Sequence, residues 1–259
     1  MFLDKILRWT NSSQFIDEYS RILFDEFVHT NNAQVAFNKA MEYAEQNKMS
    51  YNEIYKGNEM VAEKIDRYIA SIHHYSDDDV GEMTKLIENL SLKEDKKQQL
   101  FKASLNKYLL FMAENGTLYE FDKSDMPISI QYKSEEKLYY FSGAAYVKKR
   151  RKTVGVGFSG PSASIRICKG VRYRIGSMSV HRETVESYDT SDQGIFYITN
   201  FRIGYIGKTQ FSFDLKKLIS IQSGEAGILI FKQGRENPFM IALDNYDTPC
   251  TILSCLLNQ

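Results

Sequence analysis

Lys148-Lys-Arg-Arg-Lys152 sets five cations in a row, and Arg166, Lys169, Arg172, Arg174 and Arg182 follow. Residues 121–182 hold 13 Lys and Arg against 4 Asp and Glu, so this stretch is a local source of positive charge. Such side chains can grip phosphates of a lipid headgroup or a nucleic acid, or the carboxylates of an acidic protein face. We take Lys148, Lys149, Arg150, Arg151, Lys152, Arg166, Lys169, Arg172 and Arg174 as one expected ligand surface for an anionic partner. Two other uses stay open: docking onto the acidic half of the same chain, and a solvated edge that discourages strand pairing. Tyr146, Phe158 and Tyr173 lie among these cations, which keeps nucleic-acid binding as the alternative function. A net charge of zero argues against strong nonspecific DNA binding, because long-range steering is weak.

Other constellations carry less. Gly155-Val-Gly-Phe-Ser-Gly160 fits G-x-G-x-x-G, but Pro161 and a strand pattern follow where a dinucleotide site needs a helix. A glycine loop is expected there, with consecutive N–H groups able to meet an anion. The four histidines, His29, His73, His74 and His181, have no nucleophile at motif distance, and no G-x-S-x-G frame is present. Asp77, Asp79 and Glu88 fit three positions of a calcium loop, yet Gly81 and Glu82 stand where a ligand and the turn glycine belong. Cys250 and Cys255 lack zinc spacing, and three cysteines make no disulfide framework. The expectation is a protein with no catalytic residues, no metal and no cofactor.

Two kinds of chain position these residues. Residues 1–120 contain 3 of the 15 glycines and none of the four prolines, with 14 Lys and Arg against 20 Asp and Glu. Residues 121–259 carry 19 against 13, so neutrality conceals an acidic half and a basic half. Glycine, proline and charge shift together, which sets an expected domain boundary between Gly116 and Met126. The first half reads as helices near 12–29, 32–47, 51–72, 77–89 and 92–115, with a short extra one at 2–9. Ser50 with Glu53 and Ser91 with Glu94 fit capping boxes, and Ser76 precedes three aspartates suited to a helix start. Apolar stripes such as Ile54, Val61, Ile65, Tyr68, Ile69, Ile72 have helical period. His73 and His74 are expected to serve the C-terminal end of a helix.

The second half reads as short strands at 128–132, 138–141, 144–150, 153–158, 164–169, 172–177, 194–199, 203–206, 210–215, 218–222, 227–232 and 239–243. Turn residues separate them, so an antiparallel barrel or sandwich is expected. Thr248 as cap and Pro249 as first helical residue start a final helix, whose Ile252, Leu253, Leu256 and Leu257 should cover the sheet.

The run Gly194-Ile-Phe-Tyr-Ile-Thr-Asn-Phe-Arg-Ile-Gly-Tyr-Ile-Gly207 resembles the core of bacterial GRAM-like and pleckstrin-homology-like domains. Phe213-Asp-Leu-Lys-Lys-Leu-Ile-Ser-Ile221, Gly227-Ile-Leu-Ile-Phe231 and Arg235-Glu-Asn-Pro-Phe239 resemble their following strands. Ser164-Ile-Arg-Ile-Cys-Lys-Gly-Val-Arg-Tyr-Arg-Ile-Gly176 is similar to a stretch that precedes such domains. The likeness spans about residues 127–257. It implies a pleckstrin-homology-like β-barrel with a capping helix and no enzymatic activity; with the helices read from caps and stripes, the expectation is an α+β chain with a helical domain over 1–120 and this β domain over 121–259. Within it, Arg202 is expected to pair with Asp189 or Asp214. No apolar stretch is long enough to span a membrane, and Asp4, Lys5 and Arg8 interrupt any signal-peptide core. A cytoplasmic protein is expected, peripheral at the membrane if its ligand is a lipid.

Overall fold

Serine caps and apolar stripes do build helices over the first half. The structure is a computed structural model that describes residues 2–153, 164–168, 171–174, 184–224 and 227–258. Side chains are described over 12–148, 192–224 and 227–258. The chain divides into two compact units, Met1–Phe111 and Met112–Gln259. Among the described residues it is α+β: six α-helices, five of them before the sheet, then a seven-stranded antiparallel sheet and the last helix.

The helices are α1 (Phe2–Thr30), α2 (Ala33–Gln46), α3 (Tyr51–Ser71), α4 (Asp77–Asn89) and α5 (Glu94–Glu114). The separate helix at 2–9 is not formed, because α1 runs unbroken through Thr10–Ser13. No glycine or proline stops it there, and the Ser12 hydroxyl donates instead to Glu53 at 2.7 Å. Ser50 and Glu53 make a full capping box, as do Ser76 and Asp79. Ser91 does not cap: α5 opens at Glu94 itself, so the serine lies outside its first turn. Both histidines lie beyond the end of α3, and His74 packs edge-on against Phe111 at 4.8 Å. The core of this unit is Tyr19, Leu23, Phe27, Ile65, Met83, Leu86 and Ile87, with the buried alanine stripe Ala33, Ala36, Ala40, Ala44 on α2. Gly57 lets α3 approach α1 closely, since a Cβ there would meet the Tyr19 ring at 2.5 Å.

The sheet strands are β1 (Leu138–Thr153), β4 (Thr184–Thr199), β5 (Arg202–Ile206), β6 (Gln210–Asp214), β7 (Leu218–Gly224), β8 (Gly227–Lys232) and β9 (Phe239–Ala242). A separate pair, β2 (Ser164–Cys168) and β3 (Val171–Arg174), lies between β1 and β4 in sequence. The order β6-β5-β4-β1-β9-β8-β7 leaves the sheet unclosed, with β1 paired on both sides. Even so, the sheet curls: Phe211 of β6 stacks on Phe239 of β9 at 3.9 Å, although three strands separate them in the ladder.

Residues 128–132 are not a strand. They are irregular, and the Arg202 guanidinium binds the Gln131 carbonyl in place of a ladder partner. The stretches 138–141 and 144–150 are one strand, because Ser142-Gly143 continues the pairing with β4. The first half of β4 was absent from the expected strands. Residues 154–158 and 175–177 lie outside the described residues. The last helix, α6 (Asp247–Leu257), starts before Thr248, and the Asn245 side chain accepts from the Thr248 amide at 3.2 Å. Asn245 thus does the capping work assigned to Thr248. Ile252 and Leu253 are buried, as expected, whereas Leu257 is largely exposed.

Candidate functional site

The basic run occupies the far end of β1. Beyond Val147, where pairing with β9 stops, β1 continues beside β4 alone. Residues 148–153 and 184–189 therefore form a two-stranded ribbon that extends past the rest of the sheet. Lys148 is exposed on it, and Lys149, Arg150, Arg151 and Lys152 follow along the strand. Strand period places Lys148, Arg150 and Lys152 at positions of one face, and Lys149 and Arg151 at positions of the other. The register sets Lys148 opposite Asp189 and Arg151 opposite Glu186. Arg166 is on β2, and Arg172 and Arg174 are on β3. Register puts Arg166 directly opposite Arg172, a like-charge pairing that costs stability unless an anion shares it. Lys169, the glycine loop 155–160 and His181 lie outside the described residues. The eight described cations thus fall into two groups, five on the ribbon and three on the β2–β3 pair.

Two cations beyond the expected set, Lys232 and Arg235, stand with Lys148. They surround the aromatic cluster inside the curl of the sheet: Tyr146, Tyr205, Phe211, Phe213 and Phe239. Lys148 Nζ stands 5.9 Å from the Tyr146 ring centre, Lys232 Nζ 5.6 Å from that of Phe213, and the Arg235 guanidinium 4.0 Å from that of Phe239. The rings touch in turn, with Tyr146 to Phe239 at 6.5 Å and Phe213 to Phe239 at 5.7 Å. Among the described residues no carboxylate forms an ion pair with Lys148, Lys232 or Arg235. Ring faces attract cations weakly, so Lys232 and Arg235 keep most of their charge available to an anion, while Lys148 also acts on the Asp192 carboxylate.

The turn that carries Lys208 is tied to this end of the sheet through a buried carboxylate. Asp192, paired with Tyr146 across β1 and β4, accepts from the Lys208 amide at 2.8 Å and the Thr209 amide at 2.7 Å. It is 4% exposed. Burial pushes its carboxyl up, but the Thr209 hydroxyl, the two amides and the charge of Lys148 together hold it below the usual range. Gly207 makes the turn fit, since a Cβ there would lie 2.6 Å from Asp192 Oδ1. The Lys208 side chain remains exposed.

The other end of the sheet holds a structural knot. Arg202 donates to Glu136 through Nε at 2.7 Å and Nη2 at 3.2 Å. Glu136 is fully buried and also accepts from Thr199 and from the Lys133 amide. Burial pushes the Glu136 carboxyl up, and these donors outweigh it and hold it low. The expected partners are thus replaced. Asp214 lies opposite Arg202 in register but pairs with Lys133 at 3.1 Å.

Tyr146 is only 9% exposed, so its ring is core and offers no face to a base. Among the described residues no cluster of three His, Cys, Asp or Glu is placed to hold a metal ion, and no helix is long and apolar enough to cross a membrane. Comparison with protein-family models, curated proteins and solved structures finds no match for this chain.

Proposed function

We propose that this chain is a non-catalytic binding protein that recognises an anionic ligand, a phospholipid headgroup surface or an acidic protein face, through the basic end of its sheet unit. One observation carries the reading. Lys148 of β1 and, from a distant part of the sequence, Lys232 and Arg235 of the β8–β9 hairpin stand over one aromatic cluster, where the basic ribbon leaves the sheet. Such like charges repel one another, and a fold that gathers them gains when an anion is bound.

The sheet unit is read as a pleckstrin-homology-like, GRAM-like domain forming a partly open barrel. Supporting this are the meander β1, β4, β5, β6, the second meander β7, β8, β9 joined to it through β1, and the helix that follows. The stacking of Phe211 on Phe239 across the curl supports a barrel over a flat sheet. We place the protein in the cytoplasm, at the membrane surface if the ligand is lipid.

The test is binding of the full chain to phosphatidylcholine vesicles with and without phosphatidylserine, and to a polyglutamate peptide, at low and physiological salt. Binding to one of these should weaken as salt rises, and Lys148→Glu with Arg235→Glu should lower it by roughly tenfold or more. A doubly reversed protein that binds like wild type would remove the reading. Retention of an oligonucleotide in preference to both probes would favour nucleic acid as the ligand.

A further inference from the structure

We infer that Tyr205 and Asp192 are positioning residues that fix the basic ribbon against the Lys208 turn, so that cations from two elements act as one surface. This rests on the reading of that end as the ligand site.

The ladder between β1 and β4 slips where the ribbon begins. Tyr146 pairs with Asp192, but Lys148 pairs with Asp189, so one residue of β1 faces two of β4. Such a bulge bends a strand and redirects everything beyond it. The Tyr205 hydroxyl sits at this slip. It accepts from the Tyr146 amide at 3.3 Å and donates to the Asp192 carbonyl at 2.6 Å, which joins the two strands at the point where ladder bonding is interrupted. Tyr205 is fully buried on β5, its ring 5.9 Å from Phe211, so the hydroxyl is anchored from behind. The side chain of the same Asp192 takes the Lys208 and Thr209 amides. One hydroxyl and one carboxylate therefore hold the bulge and the neighbouring turn together. A hydroxyl is not needed there for packing, since phenylalanine has the same ring. Its partners are backbone groups at the origin of the ribbon, and that is where its removal should be felt.

The test is Tyr205→Phe in the full chain, with Asp192→Asn as a second variant and Tyr19→Phe as a buried-tyrosine control. Amide hydrogen exchange is read along residues 148–153 and 184–189, and vesicle affinity is measured in parallel. The expected result is ribbon exchange faster by roughly tenfold in Tyr205→Phe, with exchange in α1 to α4 unchanged and vesicle affinity reduced severalfold. Tyr19→Phe should leave the ribbon as in wild type. Ribbon amides that exchange equally fast in wild type, Tyr205→Phe and Asp192→Asn overturn the inference, whatever the vesicles do. If Lys148→Glu keeps full affinity for every probe, the ligand reading fails instead, and the exchange data still decide the positioning.

Discussion

The helical unit and the sheet unit use charge in opposite ways. In the first, most described ion pairs lie within a turn of one helix, as Glu18 with Arg21, Glu63 with Arg67 and Glu82 with Lys85, while Lys39 with Glu26 joins α2 to α1. Caps act over the same short range, as at Ser50 and Ser76. In the second unit the tightest pair spans 66 residues, Glu136 with Arg202, and is buried. At its surface Lys133 pairs with Asp214 and Lys137 with Glu120, whereas Lys232 and Arg235 lean on aromatic rings with no ion pair among the described residues. Local pairing makes a unit tolerant of single changes; long-range buried pairing makes it brittle at a few positions and leaves charge free for binding.

The comparison can be broken at several points. Leu253 is fully buried in α6, and Leu253→Asp would set a carboxylate in the core, costing about 4 kcal/mol or more. A melting temperature within a degree or two of wild type would show that α6 is not packed. Glu136→Ala strands the Arg202 guanidinium, the Thr199 hydroxyl and the Lys133 amide together, and should cost about 3 kcal/mol by denaturant titration. If it costs no more than a surface change, the brittleness assigned to the sheet is wrong. In the helical unit, Ser50→Ala should cost only about 1 kcal/mol. Arg67→Ala, at an exposed pair, should stay within about 0.5 kcal/mol.

Acid should separate the units further. Glu136 has its folded pKa below the ordinary 4.5, so its contribution is complete above that value. It is lost as pH falls below 4.5 and through the folded pKa. Amide exchange in β4 and β5 should therefore accelerate on acidification, at low and high salt alike, because the pair is buried. Glu136→Gln should flatten that dependence. A salt-sensitive response in the sheet matching that of the exposed helical pairs would erase the distinction.

The same contrast explains what the sequence made legible. Helices α2, α3 and α4 were readable because Ser50-x-x-Glu53, Ser76-x-x-Asp79 and the apolar stripes act within a few residues. Ser91-x-x-Glu94 has the same spelling but no helix under it until Glu94, which the motif alone cannot reveal. Residues 128–132 alternate in polarity like a strand, yet the alternation comes from a segment tied down by Arg202. The start of β4, Thr184-Val-Glu-Ser-Tyr-Asp-Thr-Ser-Asp-Gln193, lacks a continuous apolar alternation, and over 184–189 its register is set by pairing with β1 alone. Lys208 and Arg235 each follow a turn glycine, Gly207 and Gly234, and Lys232 ends β8, which by itself marks none of them as a site residue. Only the curl that stacks Phe211 on Phe239 says that Lys232 and Arg235 share a rim with Lys148.

The position of β1 in the ladder has a consequence for the order in which the protein can be made. Both of its neighbours, β4 and β9, are synthesised after it, and β9 only after β4 to β8. A nascent chain that has emerged only as far as β6 can form the first meander, but Tyr146, Phe211 and Phe213 then have no Phe239 to stack on. Their rings face water until the final strands leave the ribosome. That interval is when this protein is most exposed to aggregation and most in need of a chaperone.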